Sequence, residues 1–251
     1  MGRLNNQVAV VTGASKGIGA DIAKALAVEG ASVVVNYSSS KAGGDKVVKE
    51  ITSAGGKAIA VQADVSKPAD ITSLFAQTKK AYGKLNILVN NAGIYEFSPL
   101  DGITEEHFHK HFNLNVLGLL LATKEAVKLF GPEGGSIINV GSGVSTINPP
   151  NTSVYTATKA AVDSITGVLS KELGPLGIRV NSINPGMIET EGVISGGFSN
   201  PEGDFRKWIE STSPLGRIGQ TSDISPTAVY LASDDSKYLT GEVIRVTGGI
   251  L

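Results

Sequence analysis

Short runs of β-branched and aliphatic residues recur along this chain between stretches of helical period, and that alternation limits its folds more than any other feature. Seven such runs are present, at 7–13, 31–37, 57–65, 85–93, 135–143, 178–186 and 242–249. A strand with one face in water alternates apolar and polar residues. The first six runs are apolar over nearly their whole length, so both of their faces must be covered. Helical patterns near 17–29, 40–54, 68–82, 104–130, 156–174 and 223–233 provide the cover. Each fits a crossover between parallel strands, so the sequence predicts an α/β fold: a doubly wound, mostly parallel seven-stranded sheet with helices on both faces.

No linker interrupts the alternation, and residues 1–251 are expected to form one domain. Residues 187–213 depart from it, with Gly, Ser and Pro followed by an amphipathic stretch, and are read as a flexible substrate lid within that domain. Many of the 31 glycines fall at strand ends, at 13, 93, 141, 143 and 186, the edge where sheets of this kind hold ligands. A formal net charge of −1 argues against a nucleic-acid surface. No run of eighteen apolar residues and no charged-then-apolar leader is visible, so the expectation is a cytoplasmic protein without a membrane segment. The absence of cysteine excludes disulfides and thiolate metal sites.

The first strand runs into "TGASKGIG", with Gly13, Gly17 and Gly19 at the opening of the first helix. A tight turn there brings backbone amides and the positive helix end to a pyrophosphate, which predicts a dinucleotide held by Gly13, Ser15, Lys16, Gly17, Ile18 and Gly19. An NAD site places a carboxylate near the end of the second strand to meet the ribose 2′-hydroxyl. Here Asn36, Tyr37 and Ser38 occupy that stretch, and Lys16 adds a cation from the glycine turn. The expected cofactor is therefore NADP(H), with Asn36 and Ser38 donating to its 2′-phosphate. At the end of the third strand, Asp64 is placed to accept from an adenine amino group and Val65 to lie on the ring. Asn91, Ala92 and Gly93, at the end of the fourth, leave room for a flat ligand.

"SVYTATKAAV" sets Tyr155 and Lys159 four residues apart, on one face of a helix. A free phenol titrates near 10. An ammonium one turn away favours the phenolate, and lowering the phenol by about three units needs roughly 4 kcal/mol, available only in a partly desolvated cleft. Ser142 closes the fifth strand at the same edge. Together, "TGASKGIG", "NNAG", Asn115 in "FNLNVLG", Ser142, "YTATK" and "NPGMIET" closely resemble the classical short-chain dehydrogenase/reductase family, over essentially the whole chain. The resemblance implies a Rossmann-type fold and a catalytic set of Asn115, Ser142, Tyr155 and Lys159. Tyr155 would exchange the proton with the substrate oxygen, Ser142 would hold that oxygen, and Lys159 would bind the nicotinamide ribose and lower the phenol. Asn115 would position a water linking Lys159 to solvent. Pro185, Gly186, Ile188 and Thr190 would form the nicotinamide wall.

The implied reaction is reduction of a small ketone or aldehyde to an alcohol. A 3-oxoacyl-carrier-protein reductase, a sugar dehydrogenase and a non-catalytic dinucleotide-binding regulator are the alternatives. Docking of an acidic carrier protein finds little support, because "LFGPEGGS" carries no cation and "KELGPLGIR" only Lys171 and Arg179. "HFHKHF" at 107–111 invites a metal reading, yet no carboxylate at liganding spacing completes a site, and no metal is expected. The helices at 104–130 and 156–174 hold more apolar residues than one sheet-facing stripe requires. They and the C-terminal strand "GEVIRVTGGIL" are expected to build a homotetramer.

Overall fold

The computed structural model describes residues 2–197, 200 and 203–250. The first half of the chain alternates β1 (Val8–Val11), α1 (Gly17–Val28), β2 (Ser32–Tyr37), α2 (Lys41–Ser53), β3 (Lys57–Gln62), α3 (Pro68–Tyr82) and β4 (Ile87–Asn90). It continues through α4 (Glu105–Phe112), a π-helical turn (Asn113–Gly118), α5 (Leu119–Val127), β5 (Gly135–Val140), α6 (Val144–Ile147), α7 (Ser153–Leu173) and β6 (Ile178–Pro185). The last part holds β7 (Ile188–Glu189), α8 (Glu191–Ser195), α9 (Asp204–Thr212), β8 (Gly219–Gln220), α10 (Thr221–Ala232) and β9 (Val243–Val246).

Seven of these strands form one sheet in the order β3-β2-β1-β4-β5-β6-β9, and every pairing in it is parallel. Alternate residues of a strand supply opposite cores. Ala9 and Val11 pack with α1 and α10 on one face, while Val8 and Val10 pack with α3 and α5 on the other. From β1 the chain winds outward to β2 and β3, then returns to begin again at β4. The crevice beyond the carboxyl ends of β1 and β4 is the switch point where such sheets take ligands.

Two departures from the sequence reading matter for the site. The helix expected over 104–130 runs unbroken from Glu105 to Val127 but changes pitch at its middle, where the Asn115 side chain accepts from the Ile94 N–H (2.9 Å) and donates to the Ile94 carbonyl (2.9 Å). That tertiary clamp coincides with the π-helical turn at Asn113–Gly118. The expected lid, 187–213, contains β7, α8 and α9; Phe198, Ser199, Pro201 and Glu202 lie outside the described residues. β7 pairs with β8 in a separate two-stranded sheet that ties the base of this segment to α10.

Candidate active site

The glycine turn is built for close approach. Gly13 (φ 62°) and Gly17 (φ 58°) take left-handed backbone conformations. A Cβ on Gly13 would stand 2.9 Å from the Ala92 Cα, and one on Gly19 would stand 2.3 Å from Asn91 Nδ2, so neither position admits a side chain. Thr12, which the sequence reading missed, organises the crevice: its hydroxyl accepts from the N–H groups of Asn91 and Ala92, both at 3.0 Å. Asn91 returns the link by donating to the carbonyls of Thr12 (2.9 Å) and Gly13 (3.0 Å). Ser15 lies beside the start of α2, whose Gly43 would bring a Cβ within 3.1 Å of the Ser15 Cβ.

The residues fit the diphosphate of a dinucleotide. At the N-terminus of α1, the Gly17 N–H donates to Glu191 Oε2 at 3.0 Å, so a carboxylate of α8 stands in the place where a phosphate oxygen is expected. Lys16 is exposed beside it. A second sign is Lys159. This ammonium is only 6 % exposed, and among the described residues its one hydrogen bond is to the Val140 carbonyl (2.8 Å), leaving donors for the hydroxyls of a ribose.

Several expected contacts are corrected. Asn36 is 1 % exposed; its Nδ2 donates to the carbonyls of Ala63 (3.0 Å) and Val61 (3.3 Å), and its Oδ1 accepts from the Gly13 N–H (3.1 Å). Asn36 therefore shapes the glycine turn from within and has no donor left for a 2′-phosphate. Tyr37 is buried against Gly44 of α2, whereas Ser38 is exposed, with Ser39 and Ser40 beside it at the start of α2. Asp64 Oδ1 accepts from the Ser66 N–H (3.0 Å) and hydroxyl (2.7 Å). Burial raises the Asp64 pKa, but these bonds and Lys67 outweigh it and hold the carboxyl below its ordinary value. The Val65 side chain packs in the core and is not free to cover an adenine ring. Asn115 Nδ2 also donates to Thr158 Oγ1 (3.1 Å), so both of its side-chain amide protons are engaged.

The chain at the end of β6 packs as a wall. The Pro185 carbonyl accepts from the Gly143 N–H (2.8 Å), and Gly186 lies so close to Thr247 that a Cβ would meet its Cα at 2.9 Å. Ile188 is buried behind Gly219, and Thr190 caps α8 while its methyl group lies over Gly17. A cavity of about 180 Å³ lies on the far side of this wall, between Ile188, Ile209, Leu215 and Val246; Ser142, Tyr155 and Lys159 do not line it.

Ser142, Tyr155 and Lys159 converge at the end of β5. The Ser142 hydroxyl accepts from the Val144 N–H (3.3 Å) and lies near enough to the Tyr155 phenol to lower its pKa; the Lys159 ammonium stands 5.9 Å from the centre of the Tyr155 ring. Desolvation pushes the phenol up to about 12, against the lowering effect of Ser142. It also pulls Lys159 down to about 8, with Asp163 opposing. In the protein alone, burial outweighs the lowering by Ser142. At neutral pH Tyr155 is a protonated acid.

Tyr95 and Phe97 complete a cluster around that acid. Ring centres lie 6.3 Å (Tyr95) and 6.4 Å (Phe97) from Tyr155, and 6.2 Å from each other. They remain 39 % and 47 % exposed, and Gly192 of α8 abuts the Tyr95 hydroxyl. The histidines behave differently. Glu96, His107 and His111 offer ligand atoms within 4.8 Å of one another, a convergence with a carboxylate the spacing did not reveal. However, His111 Nε2 accepts from the Glu96 N–H (3.0 Å), His111 Nδ1 bonds the His107 carbonyl (2.9 Å), and Glu96 pairs with Lys110.

Fold and site together define a dinucleotide-dependent oxidoreductase. Known proteins agree. A family model described as enoyl-(acyl carrier protein) reductase matches residues 13–251. An uncharacterised oxidoreductase of Methylorubrum extorquens is 52 % identical over 250 residues, covering 100 % of both chains. A probable tetrahydroxynaphthalene reductase of Zymoseptoria tritici is 36 % identical, covering 98 % of this chain and 95 % of its own. A short-chain dehydrogenase from Burkholderia cenocepacia, solved in complex with NADP, superposes with a TM-score of 0.92 at 35 % identity over 99 % of each chain. The chain belongs to the short-chain dehydrogenase/reductase family.

Proposed function

We propose that the protein reduces a ketone on or beside an aromatic ring to the alcohol, with NADPH as hydride donor. The observation that carries the reading is the Tyr95, Phe97 and Tyr155 cluster, two rings set about the Tyr155 phenol. A flat ring entering among them gains offset or edge-on contacts of about 0.5–1.5 kcal/mol per pair beyond its area. Ketone reduction with NADP(H) accords with the reductase and NADP complex among the relatives. Bound NADPH supplies the hydride. The protein does the rest: Ser142 holds the carbonyl oxygen, Tyr155 donates its phenolic proton to that oxygen as it becomes an alkoxide, and Lys159 favours the phenolate left behind. Ser38, Lys16 and the start of α2 hold the 2′-phosphate. Asp64 turns its remaining oxygen to the adenine, and residues 187–213 close over the substrate as a lid.

Exposed Phe108, Leu117, Leu120 and Val168 on α4, the π-turn, α5 and α7 support assembly as a homotetramer through these helices and β9, in the cytoplasm. Light scattering at micromolar concentration should give four times the chain mass; a monomer would contradict it. The function is tested by following NADPH oxidation with bicyclic aromatic ketones, aliphatic ketones of equal size and 3-oxoacyl thioesters. The aromatic set should have the highest kcat/KM by at least about tenfold, and a preference for thioesters would contradict the reading.

A further inference from the structure

Along α7 the residues Tyr155, Lys159 and Asp163 fall at successive turns of one face, and only the third has no part in the chemistry described so far. Its surroundings are unusually ordered for a half-buried carboxylate without an ion-pair partner among the described residues. Asp163 Oδ2 accepts from the Ser145 hydroxyl at 2.6 Å, and both carboxylate oxygens lie at 3.0 and 3.1 Å from Asn184 Nδ2. Asn184 is itself fixed, because Ser182 Oγ donates to its Oδ1 at 2.7 Å, which turns the amide nitrogen toward Asp163. A Cβ on Gly141 would lie 2.0 Å from that Oδ1, so the glycine at this strand end makes room for the amide.

Both partners of Asp163 also reach the main chain of Ser142. Asn184 Nδ2 lies 3.2 Å from the Ser142 carbonyl, and Ser145 Oγ lies 3.0 Å from it. The serine hydroxyl has one proton and directs it to the charged, shorter acceptor; the amide has two, one for Asp163 and one for Ser142. The carboxylate thus fixes the orientation of the amide that pins Ser142, whose hydroxyl acts on the Tyr155 phenol. The same carboxylate lies one turn from the buried Lys159 ammonium.

We infer that Asp163 is a positioning residue for the reaction, setting Ser142 through Ser145 and Asn184 and keeping Lys159 charged from the next turn of α7. This rests on the proposed roles of Ser142, Tyr155 and Lys159. Few other charges bear on the pair. The titratable Tyr155 shares the helix, and Tyr95 faces Tyr155 from the segment before α4. β5, α6 and the π-turn contain no ionisable side chain, and in β6 Arg179 is engaged with Leu231 and Ser233 carbonyls. On α4, His107, Lys110 and His111 act on Glu96, and Asp163 alone raises Lys159.

The test is kcat against pH, with KM for an aromatic ketone and Kd for NADPH by fluorescence titration, in Asp163→Asn, Asp163→Glu, Ser145→Ala and Tyr155→Phe. Asp163→Asn presents an amide nitrogen to a donor and removes the charge. It should lower kcat about ten- to a hundredfold, the loss typical of one charge-assisted hydrogen bond, with KM and Kd within about twofold. Its alkaline limb should move to lower pH, because Lys159 then sheds its proton more easily. Asp163→Glu should move the limb back toward the parent. Ser145→Ala, which retains the charge, should lower kcat with the limb unmoved, and it serves as the folded comparison if Asp163→Asn does not fold. In that event a parent-like kcat in Ser145→Ala would overturn the inference. So would a parent-like alkaline limb in a folded Asp163→Asn protein. If Tyr155→Phe keeps parent turnover, the reading of the whole site fails, and the role of Asp163 with it.

Discussion

Replacing Lys159 with Met should make the cofactor-free protein more stable while destroying its activity. The ammonium is 6 % exposed with a single carbonyl partner, and burial lowers its pKa from 10.5 to about 8. That fall corresponds to about 3 kcal/mol against the charged form in the folded state at neutral pH. Met fills a similar volume without the charge but leaves the Val140 carbonyl without its donor, a loss of about 1–2 kcal/mol. The variant should therefore gain about 1–2 kcal/mol at pH 7, or about 2–6 °C in Tm for a domain of this size. The folded value of Lys159 lies below its unfolded value, so between about pH 8 and 10.5 the unfolded chain binds more protons and parent stability rises with pH. The advantage of Met should accordingly be full below pH 8 and shrink toward 10.5. Thermal unfolding of both proteins without cofactor at about pH 7 and pH 10 measures it. A variant that melts below the parent at pH 7, or a gap unchanged at pH 10, would refute the reasoning.

Because desolvation holds the Tyr155 phenol near 12, ketone reduction should be fast at neutral pH and alcohol oxidation, which needs the phenolate, should climb with pH; parallel profiles in the two directions would contradict this. Lys16→Ala should raise the Kd for NADPH about tenfold and leave NADH nearly unchanged, with the difference fading as salt is added; equal losses for both cofactors would remove the 2′-phosphate role. Glu191→Gln removes a carboxylate that competes for the Gly17 N–H, so NADPH should bind about two- to tenfold more tightly, and a weaker titration would show that Glu191 helps the cofactor instead.

What the sequence made legible was local or periodic. The buried strands announced themselves as β-branched runs, the glycine turn by its place after β1, and the Tyr155 and Lys159 pair by helical spacing. What it hid depends on partners far along the chain. Asn36 reads as an exposed donor at a strand end, but it shares the sheet face of Val34, and its amide turns inward to Val61 and Ala63. The π-turn within the helix over 104–130 falls where Asn115 meets Ile94, and the carboxylate beside His107 and His111 comes from Glu96. The Gly17 to Glu191 bond joins residues 174 positions apart. Helical spacing likewise gives the distance from Tyr155 to a charge but not the desolvation that raises its phenol in the protein alone.

The central claim is that Tyr155 delivers the proton to the ketone oxygen. Its most direct test is Tyr155→Phe, assayed for reduction of an aromatic ketone by NADPH and titrated with NADPH in parallel. General acid catalysis contributes about 10²–10⁴-fold, so kcat should fall by at least about a hundredfold. The Kd for NADPH should stay within about twofold of the parent, since the ring remains and Lys159 is untouched. A variant that keeps more than about a tenth of the parent rate would contradict the account.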